Sequence, residues 1–354
     1  MKGIILHGGH GTRLRPLTHT GPKQLLPIAN KPMSQFCLES MRDCGVTEIM
    51  IVIGGVGSEK VKEFYGDGKE FGVKIEYVKQ EKPSGIAHAI NLCNDFIKEE
   101  KFLVFLGDNI IQKSLIEYKE KFEKSNDDAF LLLCKVNNPT RFGIANIEND
   151  KIVKIEEKPK QPDSDLAVTG IYFLTPKIFP IIRELNPSWR NELEITDALQ
   201  ELVKINSKIS YGIISEYWKD TGTPEDIIHA NNEILKKFNF SNKGIIEDGC
   251  TIEGILDVGE NTIIKSGTKI IGPVIIGSNC KISGNVIIGS NTSIGKNCEI
   301  SKCNIQNSII MDDCRIHCKT KINHSIISNN SSIDENTNVE ERVFLLGEGT
   351  RIRL

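Results

Sequence analysis

As far as about Asn239, short apolar runs alternate with stretches of helical spacing; beyond it the spacing changes altogether. Lys2 to Leu6, Glu48 to Ile53, Lys74 to Val78, Phe102 to Leu106 and Ala129 to Lys135 are short and rich in Ile, Val, Leu and Phe, which predicts strands, most of them buried on both faces. Between them Pro32 to Cys44, Ser58 to Phe64, Ile86 to Ile97 and Ser114 to Lys124 read as helices. Alternation of strand and helix predicts an α/β domain with a mostly parallel sheet, and such sheets bind ligands outside the carboxyl ends of their strands. A site is therefore expected just after Leu6, Ile53 and Leu106.

From Ile246 onward aliphatic residues recur at every sixth position: Ile246, Ile252, Val258, Ile264, Ile270, Ile276, Ile282, Ile288, Ile294 and Ile300. The phase then slips, resuming at Ile310, Ile316 and Ile322 and again at Ile327, Ile333, Val339 and Leu345. A period of six rules out a helix and predicts stacked coils of a parallel β-helix; the pattern resembles the left-handed hexapeptide form, with three hexads to a coil. The change of period divides the chain into two domains, residues 1–240 and 241–354. Four positions after the anchors come small or medium side chains, among them Cys250, Cys280, Cys298 and Cys314, so these thiols read as fillers of an interior slot. A metal reading would require Cys303, Cys314, His317 and Cys318 to converge.

Composition narrows the classes. The 354 residues carry 44 basic and 47 acidic side chains, and no Lys/Arg block concentrates the charge, which argues against nucleic acid as main partner. Hydrophobic residues at 39% and charged ones at 26% fit an ordinary globular chain rather than a disordered or coiled-coil one. The amino terminus has too short an apolar run for a signal segment or membrane span, and none of the ten cysteines is spaced C-x-x-C, so a cytoplasmic chain without a membrane partner is expected.

Directly after the first predicted strand comes Leu6-His-Gly-Gly-His-Gly-Thr-Arg-Leu-Arg-Pro-Leu-Thr18. Gly8, Gly9 and Gly11 let backbone N–H groups approach phosphate oxygens, yet neither the Walker nor the dinucleotide pattern is matched. Arg13 follows at once, and Lys23 stands in Pro22-Lys23-Gln24-Leu25-Leu26-Pro27, so two cations can join the glycines; solvated surface roles are the alternative.

Together with Leu106-Gly107-Asp108-Asn109, Glu156-Glu157-Lys158-Pro159 and Trp218-Lys219-Asp220-Thr221-Gly222, these motifs resemble the sugar-1-phosphate nucleotidylyltransferases over residues 1 to 235. Within that family the likeness runs to the long-form glucose-1-phosphate thymidylyltransferases, with Gln24 the informative position and His7 a departure from the usual Ala. The resemblance implies a Rossmann-like nucleotidyltransferase domain and Mg2+-dependent transfer from dTTP to glucose 1-phosphate. It implies that Arg13 and Lys23 hold the triphosphate and are catalytic, that Leu6, Gly8, Gly9, Gly11, Thr12 and Gln24 contact the nucleotide, and that Gln80, Pro83 and Gly85 face the base. It gives Asp108 and Asp220 to the metal, and Gly143, Glu157, Lys158, Val168, Thr169 and Trp218 to the sugar phosphate. Loop capping is the alternative for the two aspartates.

The chemistry agrees with such a set. A sugar phosphate, with a second pKa of about 6, is already mostly an anion at neutral pH and requires no general base. The obstacle is repulsion: two unit charges about 4 Å apart interact by roughly 4 kcal/mol at an effective dielectric of about 20. Cations therefore carry the reaction, and His7, His10 and His19 are expected to affect binding more than chemistry. Three alternatives remain. One uses UTP. One adds acetyl transfer to amino-sugar phosphates in the β-helix, where His317 and His324 are the available histidines. The last is a catalytically silent scaffold, against which the retained Arg13, Lys23, Asp108 and Asp220 argue. Because an open solenoid end needs cover, a homo-oligomer is expected.

Overall fold

The computed structural model describes residues 1–9, 11–334, 341–342 and 344–353. Its contacts divide the chain into two compact units that do not follow chain order: Met1–His10 with Met33–Asp220, and Gly11–Pro32 with Thr221–Leu354. Among the described residues no helix is long and apolar enough to cross a membrane.

The first unit is built on a nine-stranded mixed sheet. Lys2–His7 lies at its heart, parallel to Glu48–Ile53 on one side and to Phe102–Leu106 on the other. Glu48–Ile53 pairs in turn with Lys74–Lys79. These are the strands expected from the sequence, but Lys74–Lys79 closes the sheet edge and mixes buried with exposed side chains rather than being covered on both faces. Beyond Phe102–Leu106 the sheet turns antiparallel through Leu166–Leu174, which also pairs with Ala129–Lys135 and, at Ala167, with Gly143–Glu148. Lys151–Glu157 and Ile209–Ile214 complete it. The expected helix at 86–97 is two, Ile86–Asn91 and Asn94–Ile97, interrupted at Leu92 and Cys93. A core containing Ile4, Val52, Phe102, Val104, Leu131, Tyr172, Phe179 and Leu199 fills the interior.

In the second unit, Thr223 caps the helix Pro224–Leu235, its Oγ1 accepting from the Asp226 N–H at 3.2 Å; Pro224 and the acidic Glu225 and Asp226 complete a favourable first turn. After this helix the chain winds into the left-handed parallel β-helix, whose described residues form three sheets of seven, seven and six short parallel strands. Ile246, Ile264, Ile282, Ile300, Ile316 and Ile333 stack in one sheet. Thr262 Oγ1 accepts from the N–H of Cys280 at 2.9 Å, across the 18 residues of one coil.

The phase slips have a simple origin. Ile305, fully buried between Ile300 and Ile310, is an anchor, so two five-residue steps replace two hexads; a third separates Ile322 from Ile327. Leu345, expected as an anchor, is not the one: Leu346 pairs with the inward Ile327 and packs on the core, while Leu345 pairs with Ile326. A register shift of one exchanges the two faces of a strand. Val339 lies outside the described residues.

The cysteine column is a packing slot. Thr262, Cys280, Cys298, Cys314 and Ser331 stand one above another, and their side chains donate to the carbonyls of Gly277, Gly295, Met311, Ser328 and Gly347 at 2.5, 3.0, 3.1, 3.2 and 3.3 Å. His317 is engaged differently, its Nδ1 2.8 Å from Ser301 Oγ.

Candidate active site

In the first unit Leu6, Gly8, Gly9 and Asp108 lie at or just after the carboxyl ends of the central strands Lys2–His7 and Phe102–Leu106, whereas Gly143 opens and Glu157 ends strands towards the far side of the sheet, and Val168 and Thr169 lie within Leu166–Leu174. Leu6 is buried within the first strand, and Gly8 comes just after that strand, where an added Cβ would lie 3.3 Å from Gln80 Oε1. Gly9 adopts φ +95°, a conformation natural to glycine. Gln80 is set by its N–H to the Ile53 carbonyl, and its amide donates to Gly85 O at 3.1 Å and meets His88 Nδ1 at 2.9 Å. At Gly85, with φ +101°, a Cβ would fall 2.3 Å from Leu193 O, so this backbone approach excludes any side chain. Pro83 is exposed beside it.

Asp108 sits in the turn after Phe102–Leu106, and Asn109 begins a short strand that pairs antiparallel with Trp218–Asp220, placing Asp220 opposite Asn109. Asn109 is the junction of this corner. Its Nδ2 donates to Asp108 Oδ1 at 3.0 Å, and its Oδ1 accepts from Trp218 Nε1 at 2.8 Å and from Gly170 N at 3.2 Å. The register shift between Val168 and Tyr172 opens the strand there, and Gly170 leaves room for the amide. Thr169, in the same bulge, is fully buried, and its hydroxyl has no hydrogen-bond partner among the described residues. Trp218 stands edge-on to Phe142, 5.6 Å between ring centroids.

Gly143 pairs directly with Glu157, and a Cβ on Gly143 would lie 2.4 Å from Thr196 Cγ2. The Glu157 carboxylate accepts from Thr196 Oγ1 at 3.1 Å and pairs with Lys158 Nζ at 3.3 Å and Arg190 Nη1 at 3.6 Å. Lys158 itself has φ +44°, turning the chain back so that its N–H meets the Phe142 carbonyl. Arg190 also bonds Glu192 and pairs with Glu194 at 3.2 Å; burial works against its charge, but these carboxylates outweigh it and raise its pKa.

Electrostatics tie the corner together. Burial, and then the carboxylates of Glu157, Asp108 and Asp220, push the Tyr172 phenol far up, so all three carboxylates act on one buried ring. His7 is buried with neither ring nitrogen bonded among the described residues, and burial drives it down to about 3 against the opposing pull of Asp108. At neutral pH it is an uncharged wall and no base.

The second unit holds the remaining predicted residues on Gly11–Pro32. Gly11, in the left-handed region, opens the short turn Thr12–Leu14, and its carbonyl accepts from Thr18 Oγ1 at 2.8 Å. Thr12 and Arg13 are exposed. The Arg13 guanidinium lies against Gly222, where a Cβ would come within 3.0 Å of Nη2. Pro22 leads into the turn Lys23–Leu25, with Lys23 half-buried and Gln24 buried. His19 is exposed, and His10 lies outside the described residues.

Among the described residues no three or more His, Cys, Asp or Glu side chains gather into a metal cage. Asp108 and Asp220 fit Mg2+ in another way, since that ion is usually bound by one or two carboxylates together with substrate phosphates. Sequence reasoning alone misses Asn109 and Arg190. The first sits in the Leu-Gly-Asp-Asn motif, next to a flagged carboxylate; the second carries no motif, and only the acids at 192 and 194 mark its place.

The nucleotidyl transferase family profile matches residues 2–237, and that of the GMPPB C-terminal domain matches 270–353. A low-salt glycan biosynthesis nucleotidyltransferase, Agl11, of Haloferax volcanii is 37% identical, with 100% of each chain covered. A glucose-1-phosphate thymidylyltransferase of Streptomyces antibioticus is 36% identical over 100% of this chain and 99% of its own. Among solved structures, a Bacillus anthracis protein described as a glucose-1-phosphate thymidylyltransferase, in complex with sucrose, shares 43% identity and a TM-score of 0.64, covering 68% of this chain and 98% of its own.

Proposed function

The chain belongs to the nucleotidyl transferase family, and from that premise we propose that it transfers a thymidylyl group from dTTP to glucose 1-phosphate, releasing pyrophosphate. The observation that carries the reading is the corner in which Asn109 holds Asp108 and Trp218 while strand pairing sets Asp220 opposite. Two carboxylates held at one corner suit a divalent ion shared with phosphate oxygens. The relative of that name in Streptomyces antibioticus supports the choice of dTTP and of glucose 1-phosphate.

In this reading the glucose 1-phosphate oxygen is already anionic and attacks the α-phosphorus in line, so the protein supplies positive charge rather than a base. Arg13 and Lys23 neutralise the triphosphate and the departing pyrophosphate. Leu6, Gly8, Gly9, Gly11, Thr12 and Gln24 contact the nucleotide, and Gln80, Pro83 and Gly85 the base. Gly143, Glu157, Lys158, Val168, Thr169 and Trp218 hold the sugar phosphate, with Arg190 adding a cation beside Glu157. Asp108 and Asp220 would hold Mg2+, which when bound would supply charge neutralisation at the phosphates. His7 is uncharged at neutral pH and stays out of the chemistry.

Arg13→Ala, Lys23→Ala and Asp108→Asn should each lower pyrophosphate-releasing turnover at least about a hundredfold, the scale of losing one stabilising group in a transition state, with circular dichroism unchanged. Near-normal rates in all three would remove the site. We also place the protein in the cytoplasm, which fractionation of the source cells tests directly: recovery with membranes would refute it.

A further inference from the structure

Asn231 is a fully buried amide on the helix Pro224–Leu235, an uncommon place for so polar a side chain. Its Oδ1 accepts two hydrogen bonds from distant parts of the chain: one from the N–H of Ala29 at 2.9 Å, the other from Ser293 Oγ at 2.6 Å. Ser293, also fully buried, belongs to the β-helix strand Thr292–Ile294. Next to it, Asn30 Nδ2 donates to the carbonyl of Ile294 at 2.6 Å. Three segments therefore meet at one polar knot: the turn at Ala29 and Asn30, the helix, and a β-helix coil.

The turn is the far end of the segment that carries Lys23. Ala29 and Asn30 have φ of +47° and +62°, the geometry of a tight hairpin, and they join Pro27–Ile28 to Lys31–Pro32. Pro27 comes directly after Leu26, whose N–H closes the Lys23–Leu25 turn on the Lys23 carbonyl at 3.0 Å. The same stretch touches the β-helix again near its other end, where a Cβ at Gly347 would lie 3.2 Å from the carbonyl of Pro16. The β-helix thus holds this segment by hydrogen bond at Asn30 and comes close to it near Pro16, on either side of Lys23.

We infer that Asn231 and Ser293 are positioning residues through which the β-helix fixes where the Lys23 ammonium is presented. The β-helix then has a part in phosphate binding and is more than an appended scaffold. This rests on the reading that Lys23 binds the pyrophosphate moiety. Truncating Asn231 takes the acceptor from the Ala29 N–H and the Ser293 hydroxyl, truncating Ser293 takes a donor from Asn231 Oδ1, and a buried polar group left short of its partner drives local rearrangement.

The test is calorimetric titration of the full chain with magnesium pyrophosphate. Stoichiometry reads the folded fraction, and Kd reads the placement of Lys23. Ser293→Ala and Asn231→Ala break the knot from inside; Asn30→Gly deletes the donor to Ile294 while keeping a residue at ease with positive φ, so it folds without added strain. Ser293→Ala and Asn30→Gly should each weaken pyrophosphate binding about tenfold, the effect of one lost hydrogen bond, and Asn231→Ala, which removes two, should weaken it further, all at unchanged stoichiometry. In a Lys23→Ala background the same changes should shift Kd less than about twofold, because the group they position is gone. Unchanged Kd in Asn30→Gly and Ser293→Ala, or equal weakening with and without Lys23, would overturn the inference. If Lys23→Ala alone leaves Kd unaltered, the fault lies with the reading of Lys23, and the two failures are distinguished.

Discussion

At the scale of the residue, the most informative side chain is His7. Its two nitrogens are buried without partners among the described residues, and burial pulls its pKa from an ordinary 6.5 down to about 3. The unfolded chain takes up a proton near pH 6.5 and the folded chain resists until about pH 3, so between those values the unfolded state binds more protons and stability falls as pH falls. From about pH 7 to about pH 5 this single group should contribute a loss of about 2 kcal/mol. Urea denaturation at the two pH values measures it, and His7→Ala should flatten that part of the slope; an identical slope in the variant would show that other groups account for it. The sequence displays His7 as a deviation within a glycine-rich loop, but only burial reveals that it is an inert ring. Asn109 teaches the converse, since its three hydrogen bonds link residues 108, 170 and 218 and no local pattern announces them.

At the scale of the element, repeating patterns are legible in the sequence and non-repeating ones are not. The buried strands Lys2–His7, Glu48–Ile53 and Phe102–Leu106 arise from unbroken apolar runs. Gly143–Glu148, Lys151–Glu157 and Ile209–Ile214 are only partly covered and mix polar with apolar residues, so no run marks them. The hexads reveal the β-helix, yet five-residue steps at Ile305 and Ile327 evade a search for period six. The corners keep the coils turning: Asn261, Asn279, Asn297, Asp313 and Asn330 all have positive φ, a conformation that short polar side chains tolerate best, and the first four link by side-chain hydrogen bonds at 2.9 to 3.2 Å. The interior slot admits thiol and hydroxyl alike. Cys298→Ser should therefore keep the bond to Met311 O and lower stability by less than about 1.5 kcal/mol. A much larger loss in thermal denaturation would show that the slot does not accept a hydroxyl in place of this thiol.

At the scale of the whole molecule, chain order and compact units diverge. Residues 11–32 cluster with the β-helix, and nothing in their composition signals it, because the grip is made by single polar contacts at Ala29 and Asn30. A solenoid whose terminal coil is open exposes unpaired backbone, and Ile245 and Phe240 at its start are exposed as well. We expect copies to associate through the β-helix; light scattering should give a multiple of the 39.5 kDa chain mass, and a monomer would contradict this. The central claim, nucleotidyl transfer to a sugar phosphate driven by fixed positive charge without a general base, is tested most directly by pyrophosphate release from dTTP, UTP, CTP, ATP and GTP with glucose 1-phosphate and Mg2+. Release should be fastest with dTTP, with dTDP-glucose formed in equal amount. Release from none of the five would contradict the claim, and faster release with UTP would replace thymidylyl by uridylyl transfer.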